Sequence, residues 1–179
     1  ANPSIRHAPP KALFRIVVVG HLREEKDPFL AALALQHLKQ DLEVVQIGDA
    51  LSPPMANAAK KYMKRDRRYR WLGGRTHAQA LGWIARSHVL VVSSVMEGGA
   101  NVISEAARIG TPVLASRVSG NVGMLGRTYP GYFSLFDENE LGKLIKKTIG
   151  NTKHSRSLEK ALAARRRLFA PSAERGALA

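Results

Sequence analysis

Short, nearly continuous apolar runs rich in β-branched residues recur along this chain, and each closes on a glycine or a serine. They are Phe14 to Val19 before Gly20, Leu42 to Ile47 before Gly48-Asp49, Val89 to Val92 before Ser93-Ser94, and Pro112 to Ala115 before Ser116. A half-exposed strand alternates polar and apolar residues, whereas a strand covered on both faces does not, so these runs predict buried parallel strands. Tyr69 to Leu72, before Gly73-Gly74, is a shorter strand, and Tyr132 to Phe136 is a candidate sixth.

Helical signals fall between them. Pro28 opens a helix with Asp27 as its cap, running to about Gln40. Pro53-Pro54 precede a helix to roughly Arg65, Thr76 caps another reaching Arg86, and a helix from about Gly99 to Ile109 ends at Gly110. Further helices cover Glu138 to Ile149 and Ser155 to Leu168. Strand and helix alternate with short connections and no internal repeat, which predicts an α/β fold: a doubly wound, Rossmann-like parallel sheet with helices on both faces. Ligands in such sheets sit outside the carboxyl ends of the strands. The glycine and serine clusters lie there.

At 179 residues, 45% of them hydrophobic, the chain suffices for one domain with a sizeable core. Residues 1–12, with three prolines, read as a linker or tail, 13–150 as the ligand-binding domain, and 151–179 as a basic helical segment. The chain opens on Ala rather than Met, as expected of a processed chain or a piece of a longer one. The longest apolar stretch, Phe29 to Leu35, is far short of a membrane span, and no cysteine is present. A cytoplasmic location fits both observations.

The chain carries 28 Lys and Arg against 14 Asp and Glu, a net charge of +14, which predicts anionic partners. The charges gather in Lys60, Lys61, Lys64, Arg65, Arg67, Arg68 and Arg70, in Lys143, Lys146, Lys147, Lys153 and Arg156, and in Arg165 to Arg167. They read as solvated helix faces, as attraction to an anionic membrane surface on the cytoplasmic side, or as docking on another domain. Nucleic acid is disfavoured, because apart from Tyr62 and Tyr69 no aromatic residues stand among these charges to stack bases.

One segment carries more chemistry than any other: Glu97-Gly98-Gly99-Ala100-Asn101-Val102-Ile103-Ser104-Glu105. Glycines at a helix start let backbone N–H groups approach a diphosphate, and the helix N-terminus adds favourable partial charge. Carboxylates on either side can accept bonds from sugar hydroxyls. Their separation, at most about 12 Å at roughly 1.5 Å per residue, suits the span from ribose to hexose. Val102, Ile103, Ala106 and Ala107 form an apolar side, with Asn101, Glu105 and Arg108 opposite, so Glu105 serves a ligand or simply pairs with Arg108. In the first loop, Arg23 and Lys26 can neutralise a diphosphate or balance Glu24 and Glu25. There is no Asp-x-Asp pair and no histidine at metal-ligand spacing from His21, and no Gly-x-Gly-x-x-Gly, P-loop or Gly-x-Ser-x-Gly pattern. A metal site, a dinucleotide dehydrogenase, a P-loop phosphotransferase and a serine triad are disfavoured.

Three segments in order resemble the C-terminal, donor-binding half of a retaining glycosyltransferase of the two-Rossmann (GT-B) architecture, family 4, also called group 1. Gly20-His21-Leu22-Arg23-Glu24-Glu25-Lys26 resembles the family's Gly-Arg-Leu-x-x-x-Lys loop, and Trp71-Leu72-Gly73 its Phe-Leu-Gly strand end. Glu97 to Glu105, followed by Gly110-Thr111-Pro112-Val113, resembles its Glu-x7-Glu motif and the strand after it. The resemblance implies a hexosyltransferase that uses a nucleoside-diphosphate sugar, a UDP-sugar, as substrate, with no further cofactor. It implies that Lys26 contacts the diphosphate together with His21 and Arg23, and that Glu97 binds the donor sugar, making Glu97 and Lys26 the catalytic pair. Gly98, Gly99, Ala100 and Asn101 would offer backbone N–H groups, Glu105 would bind ribose, and Leu72 and Gly73 would edge the base pocket.

Departures stand beside the matches. His21 replaces the family's usual Arg, Gly98-Gly99-Ala100 its Gly-Phe-Gly, and Ser119-Gly120-Asn121-Val122-Gly123 lacks the Glu of Gly-Gly-x-Pro-Glu. Gly-His-Leu-Arg-Glu-Glu-Lys-Asp-Pro and Glu-Gly-Gly-Ala-Asn-Val are similar to a selenosugar-synthesis subgroup. Such enzymes hold the acceptor in an N-terminal domain absent from this chain, so the expectation is a fragment that binds donor without catalysing transfer. The competing classes are a nucleotide-sugar epimerase or hydrolase of the same build and a basic nucleic-acid or membrane-docking module.

Overall fold

A computed structural model describes residues 5–96 and 101–169. Its strands are β1 (Phe14–Val19), β2 (Leu42–Ile47), β3 (Tyr69–Trp71), β4 (Val89–Val92), β5 (Val113–Ser116) and β6 (Tyr132–Phe133). Its helices are α1 (Leu30–Ala34), α2 (Pro53–Arg65), α3 (His77–Ala85), α4 (Asn101–Ile109), α5 (Ser119–Leu125), α6 (Glu138–Gly150) and α7 (Thr152–Arg165). The strands form one parallel sheet in the order β3-β2-β1-β4-β5-β6, so the doubly wound expectation holds. β1 to β3 advance in one direction and β4 to β6 in the other. Right-handed crossovers then place the two sets of connecting helices on opposite faces. In keeping with this, α1 touches α2 through the Phe29–Tyr62 ring stack and packs on α6, whereas α3, α4, α5 and α7 pack among themselves.

β2, β4 and β5 are buried along their whole length, as continuous apolar runs require. Of the two polar exceptions on β2, Glu43 and Gln46, Glu43 is buried at 7% exposure and bonded to the Arg15 side chain, Nε to Oε1 at 2.5 Å, with Arg70 at 3.3 Å. Leu158 and Leu162 of α7 join the same core as the sheet. Residues 5–12 form no helix or strand, but the His7 and Ala8 amides donate to the carbonyls of Ile109 and Ala85.

Some local expectations need correction. Asp27 does not cap α1; the N-cap is Phe29, without a side-chain bond. Asp27 instead ends a 3-10 turn, Glu24–Lys26, in the left-handed region at φ 42, its own N–H closing that turn on the Glu24 carbonyl. The helix is also shorter than expected, passing into a 3-10 turn at Leu35–His37. Thr76 does cap α3, in a reciprocal capping box with Gln79. The sixth strand stops at Phe133, and Phe136 turns left-handed at φ 59.

Helix α5 was not foreseen, since Ser119, Gly120 and Gly123 are poor helix formers. Tertiary bonds hold it: buried Asn121 donates through Nδ2 to the carbonyl and hydroxyl of Ser116, and Tyr132 donates to the Gly126 carbonyl. Nearby, the Tyr129 hydroxyl accepts from the Val113 N–H at 3.1 Å and donates to the Val113 carbonyl at 2.7 Å.

At the carboxyl edge the first strands converge on glycine. A Cβ on Gly48, whose φ is 144, would lie 2.0 Å from the Gly20 carbonyl oxygen. Gly48→Ala therefore forces two strand ends apart in a backbone conformation unfavourable to alanine. Denaturant titration should show a loss of about 2–4 kcal/mol; a loss within about 0.5 kcal/mol, typical of an uninvolved surface position, would mean that the close approach does not hold these loops.

Candidate functional site

The sheet's order reverses between β1 and β4, and there the loops diverge and leave a crevice. A small cavity at this point is lined by Val18, Val19, Gly20, Lys26, Gln46 and Ser93, among others. Lys26 reaches it because the 3-10 turn is tied to β4. Buried Ser93 shares its hydroxyl proton between the carbonyls of Lys26, at 3.0 Å, and Asp27, at 2.8 Å, and the Val95 amide donates to the Glu25 carbonyl. The next serine is tied in turn, its carbonyl accepting from Ser116 Oγ at 2.5 Å. Gln46 lines the same cavity at 1% exposure, with Oε1 unpartnered among the described residues.

A second group joins the ends of β1, β2 and β3. His21 Nδ1 accepts from the Asp49 amide at 3.3 Å, and Asp49 Oδ1 accepts from the Gly74 amide at 2.8 Å. Gly73 adopts φ 72, and its carbonyl accepts from the Gly48 amide, which sets Leu72 and Gly73 beside the end of β2. Arg23 is exposed. The arrangement sets a cation on one side of a glycine-lined crevice and a strand-end turn on the other.

On α4, Ile103, Ala106 and Ala107 are buried and Asn101 and Arg108 are exposed. Glu105 does not pair with Arg108. Its Oε1 instead meets His77 Nε2 of α3 at 2.7 Å, the carboxylate side chain being 20% exposed and the imidazole 72%. Glu97, Gly98, Gly99 and Ala100 lie outside the described residues. Among the described residues no group of three or more His, Cys, Asp or Glu could hold a metal ion, and no helix is long and apolar enough to cross a membrane.

A family model described as glycosyl transferases group 1 matches residues 4–165. The chain belongs to this family. Among solved structures, HepE of Anabaena in complex with UDP and glucose superposes at a TM-score of 0.82 with 20% identity, over 93% of this chain and 47% of HepE. Sucrose-phosphate synthase of Thermosynechococcus elongatus gives 0.79 at 23% identity, over 94% and 45%. A glycosyltransferase of Rickettsia africae gives 0.74 at 17%, over 89% and 46%. The chain spans about half the length of each of these proteins. No curated protein matches it by sequence.

For this group 1 glycosyltransferase chain, sequence reasoning placed Asp49 and Ser93 at the strand ends without their partners, and missed His77 and Gln46, whose positions come from contacts between elements distant in sequence. Asp27 was noticed for the wrong reason. Its Oδ2 is buried without a partner among the described residues, and burial, with the Glu138 charge adding to it, pushes its carboxyl above the ordinary 3.8. A raised carboxyl costs nothing below 3.8, where both folded and unfolded states are protonated. Stability then falls as pH rises through the folded value, above which the full penalty applies. Asp27→Asn, which tolerates the left-handed backbone, should raise the melting temperature at pH 7, with the gain shrinking towards pH 3.5. A neutral-pH loss would show that the ionised carboxylate is held favourably.

Proposed function

We propose that the chain is the donor-binding half of a retaining GT-B glycosyltransferase, taking a nucleoside-diphosphate sugar, with UDP-sugar as the expected donor. The observation that carries this reading is the position of Lys26, held by Ser93 at the crevice where the sheet order reverses. HepE, of the same fold, was solved with UDP-glucose. In this reading the donor domain runs from about residue 13 through α7, whose Leu158 and Leu162 share the sheet's core, and an N-terminal domain holds the acceptor.

Transfer breaks the bond between the sugar's anomeric carbon and the diphosphate oxygen, and the electron pair leaves on the diphosphate. The Lys26 ammonium, supported by His21 and Arg23, lowers the energy of that developing charge. Glu97 orients the sugar through its hydroxyls, and the amides of Gly98 to Asn101 lie along the sugar and phosphates. Glu105 accepts from the ribose diol, while Leu72 and Gly73 border the base. The wording of the first loop and of Glu97 to Val102 places the selenosugar-type subgroup first among acceptor chemistries to test.

Isothermal calorimetry should show UDP binding to the chain. Lys26→Ala should weaken it by about 1.5–3 kcal/mol, the range for a hydrogen bond to a charged group, and should leave uridine almost unaffected. Equal losses for the two ligands would make Lys26 structural and remove the main support for this function.

For the block on α2 we propose an anionic membrane surface, on the cytoplasmic side, rather than nucleic acid. Lys60, Lys61, Lys64 and Arg65 are exposed around Met63, itself 37% exposed, whereas Tyr62 stacks on Phe29 and Tyr69 is buried, so no ring is presented to bases. Vesicles containing phosphatidylserine should co-sediment with the chain at low salt, and Lys60→Glu with Lys64→Glu should abolish this. Retention of that variant, or preference for RNA over the vesicles, would refute the assignment.

A further inference from the structure

Glu105 and His77 stand 28 residues apart in sequence, yet Nε2 and Oε1 are 2.7 Å apart. The contact joins the first turn of α3 to α4, and the two helices pack along their sides. Thr76 and Gln79 close the first turn of α3 in a capping box, so the backbone that carries His77 is held independently of any ligand. The two side chains differ in exposure, 72% for the imidazole and 20% for the carboxylate. The histidine lies over a carboxylate that is otherwise mostly enclosed.

We propose that His77 is a positioning residue for ribose recognition. It donates its Nε2–H to Oε1 of Glu105 and leaves Oε2 turned to the diol of the nucleotide. This rests on the reading of Glu105 as the ribose ligand. A carboxylate offers about four lone-pair directions, so one bond from His77 still leaves acceptors for two hydroxyls. Glutamate loses more rotamer freedom on being fixed than most side chains, and a ligand that must fix it binds more weakly for that reason. A histidine on a capped helix has already fixed it before the nucleotide arrives. The opposite arrangement, in which His77 occupies the place of the ribose and must be expelled, uses the same atoms and predicts the opposite change in affinity.

The test is calorimetric titration of the 179-residue chain with UDP and with 2′,3′-dideoxyuridine diphosphate. The proteins are wild type, His77→Ala, His77→Gln, Glu105→Gln and the double variant His77→Ala with Glu105→Gln, with melting temperature as fold control. His77→Ala should weaken UDP roughly threefold to tenfold, the range for ordering one flexible side chain, and should change the dideoxy ligand less than about twofold. His77→Gln, which keeps an N–H donor at similar reach, should recover most of the loss. Unchanged or tighter UDP binding by His77→Ala, or equal losses on both ligands, would overturn the proposal. So would a ribose-dependent loss that persists when Glu105 is already Gln, since His77 would then act on the ligand directly. Failure of the underlying reading looks different: Glu105→Gln would itself weaken both ligands equally, whatever His77 does.

Discussion

Everything at the carboxyl edge depends on two strand ends that no side chain separates. The Gly20 carbonyl and the Gly48 α-carbon approach so closely that a methyl group at Gly48 would overlap the carbonyl. Because they meet, the groups beyond them can pair: Leu22 bridges to Ala50 through the backbone, the His21 ring accepts from the Asp49 amide, and the Asp49 carboxylate accepts from the Gly74 amide. Three loops that would otherwise fray independently become one surface. Its rigidity comes from backbone geometry at the two glycines together with the His21 and Asp49 side chains.

The other wall is built differently. Beyond β4 and β5 the ties are side-chain bonds: the Ser93 hydroxyl to the Lys26 turn, the Ser116 hydroxyl to the Ser94 carbonyl, and the Asn121 amide to Ser116. The first two span elements that lie far apart in the chain, so this wall forms only as the sheet forms. A buried hydroxyl bond contributes about 1 kcal/mol net, but an orphaned partner costs more, so these serines act as a set. Asn121 Oδ1 and Gln46 Oε1 remain unpartnered among the described residues, as does Asp27 Oδ2. Tyr69 Oη and His154 Nε2 are unpartnered among them too, so of these groups only Gln46 lines the crevice, and Asp27 adjoins its Lys26.

The strands were legible because their physics is local. Phe14 to Val19, Leu42 to Ile47 and Val89 to Val92 start and stop where their apolar runs do, since burial on both faces leaves a continuous signature. Thr76 was legible as a cap for the same reason. Asp27 misled, because a cap residue and a left-handed turn residue draw on the same short polar side chains. Helix α5 was hidden, its glycines outweighed by side-chain bonds from Asn121 to Ser116 and from Tyr132 to Gly126 that helix propensity does not register. In the site, the loop bearing Lys26 and the strand end at Gly73 could be located from order and spacing. The partner of Glu105 could not: Arg108 at i+3 was the local choice, and the fold supplies His77 from a neighbouring helix.

Tyr129 has a consequence beyond its own two hydrogen bonds. By serving both the N–H and the carbonyl of Val113 it does for that residue what a neighbouring strand would do. The sheet then ends in a strand of two residues, too short to template another. On this side the protein resists edge-to-edge aggregation through a phenol rather than through charge or proline, and another polypeptide cannot lengthen the sheet at Val113 without first displacing that ring.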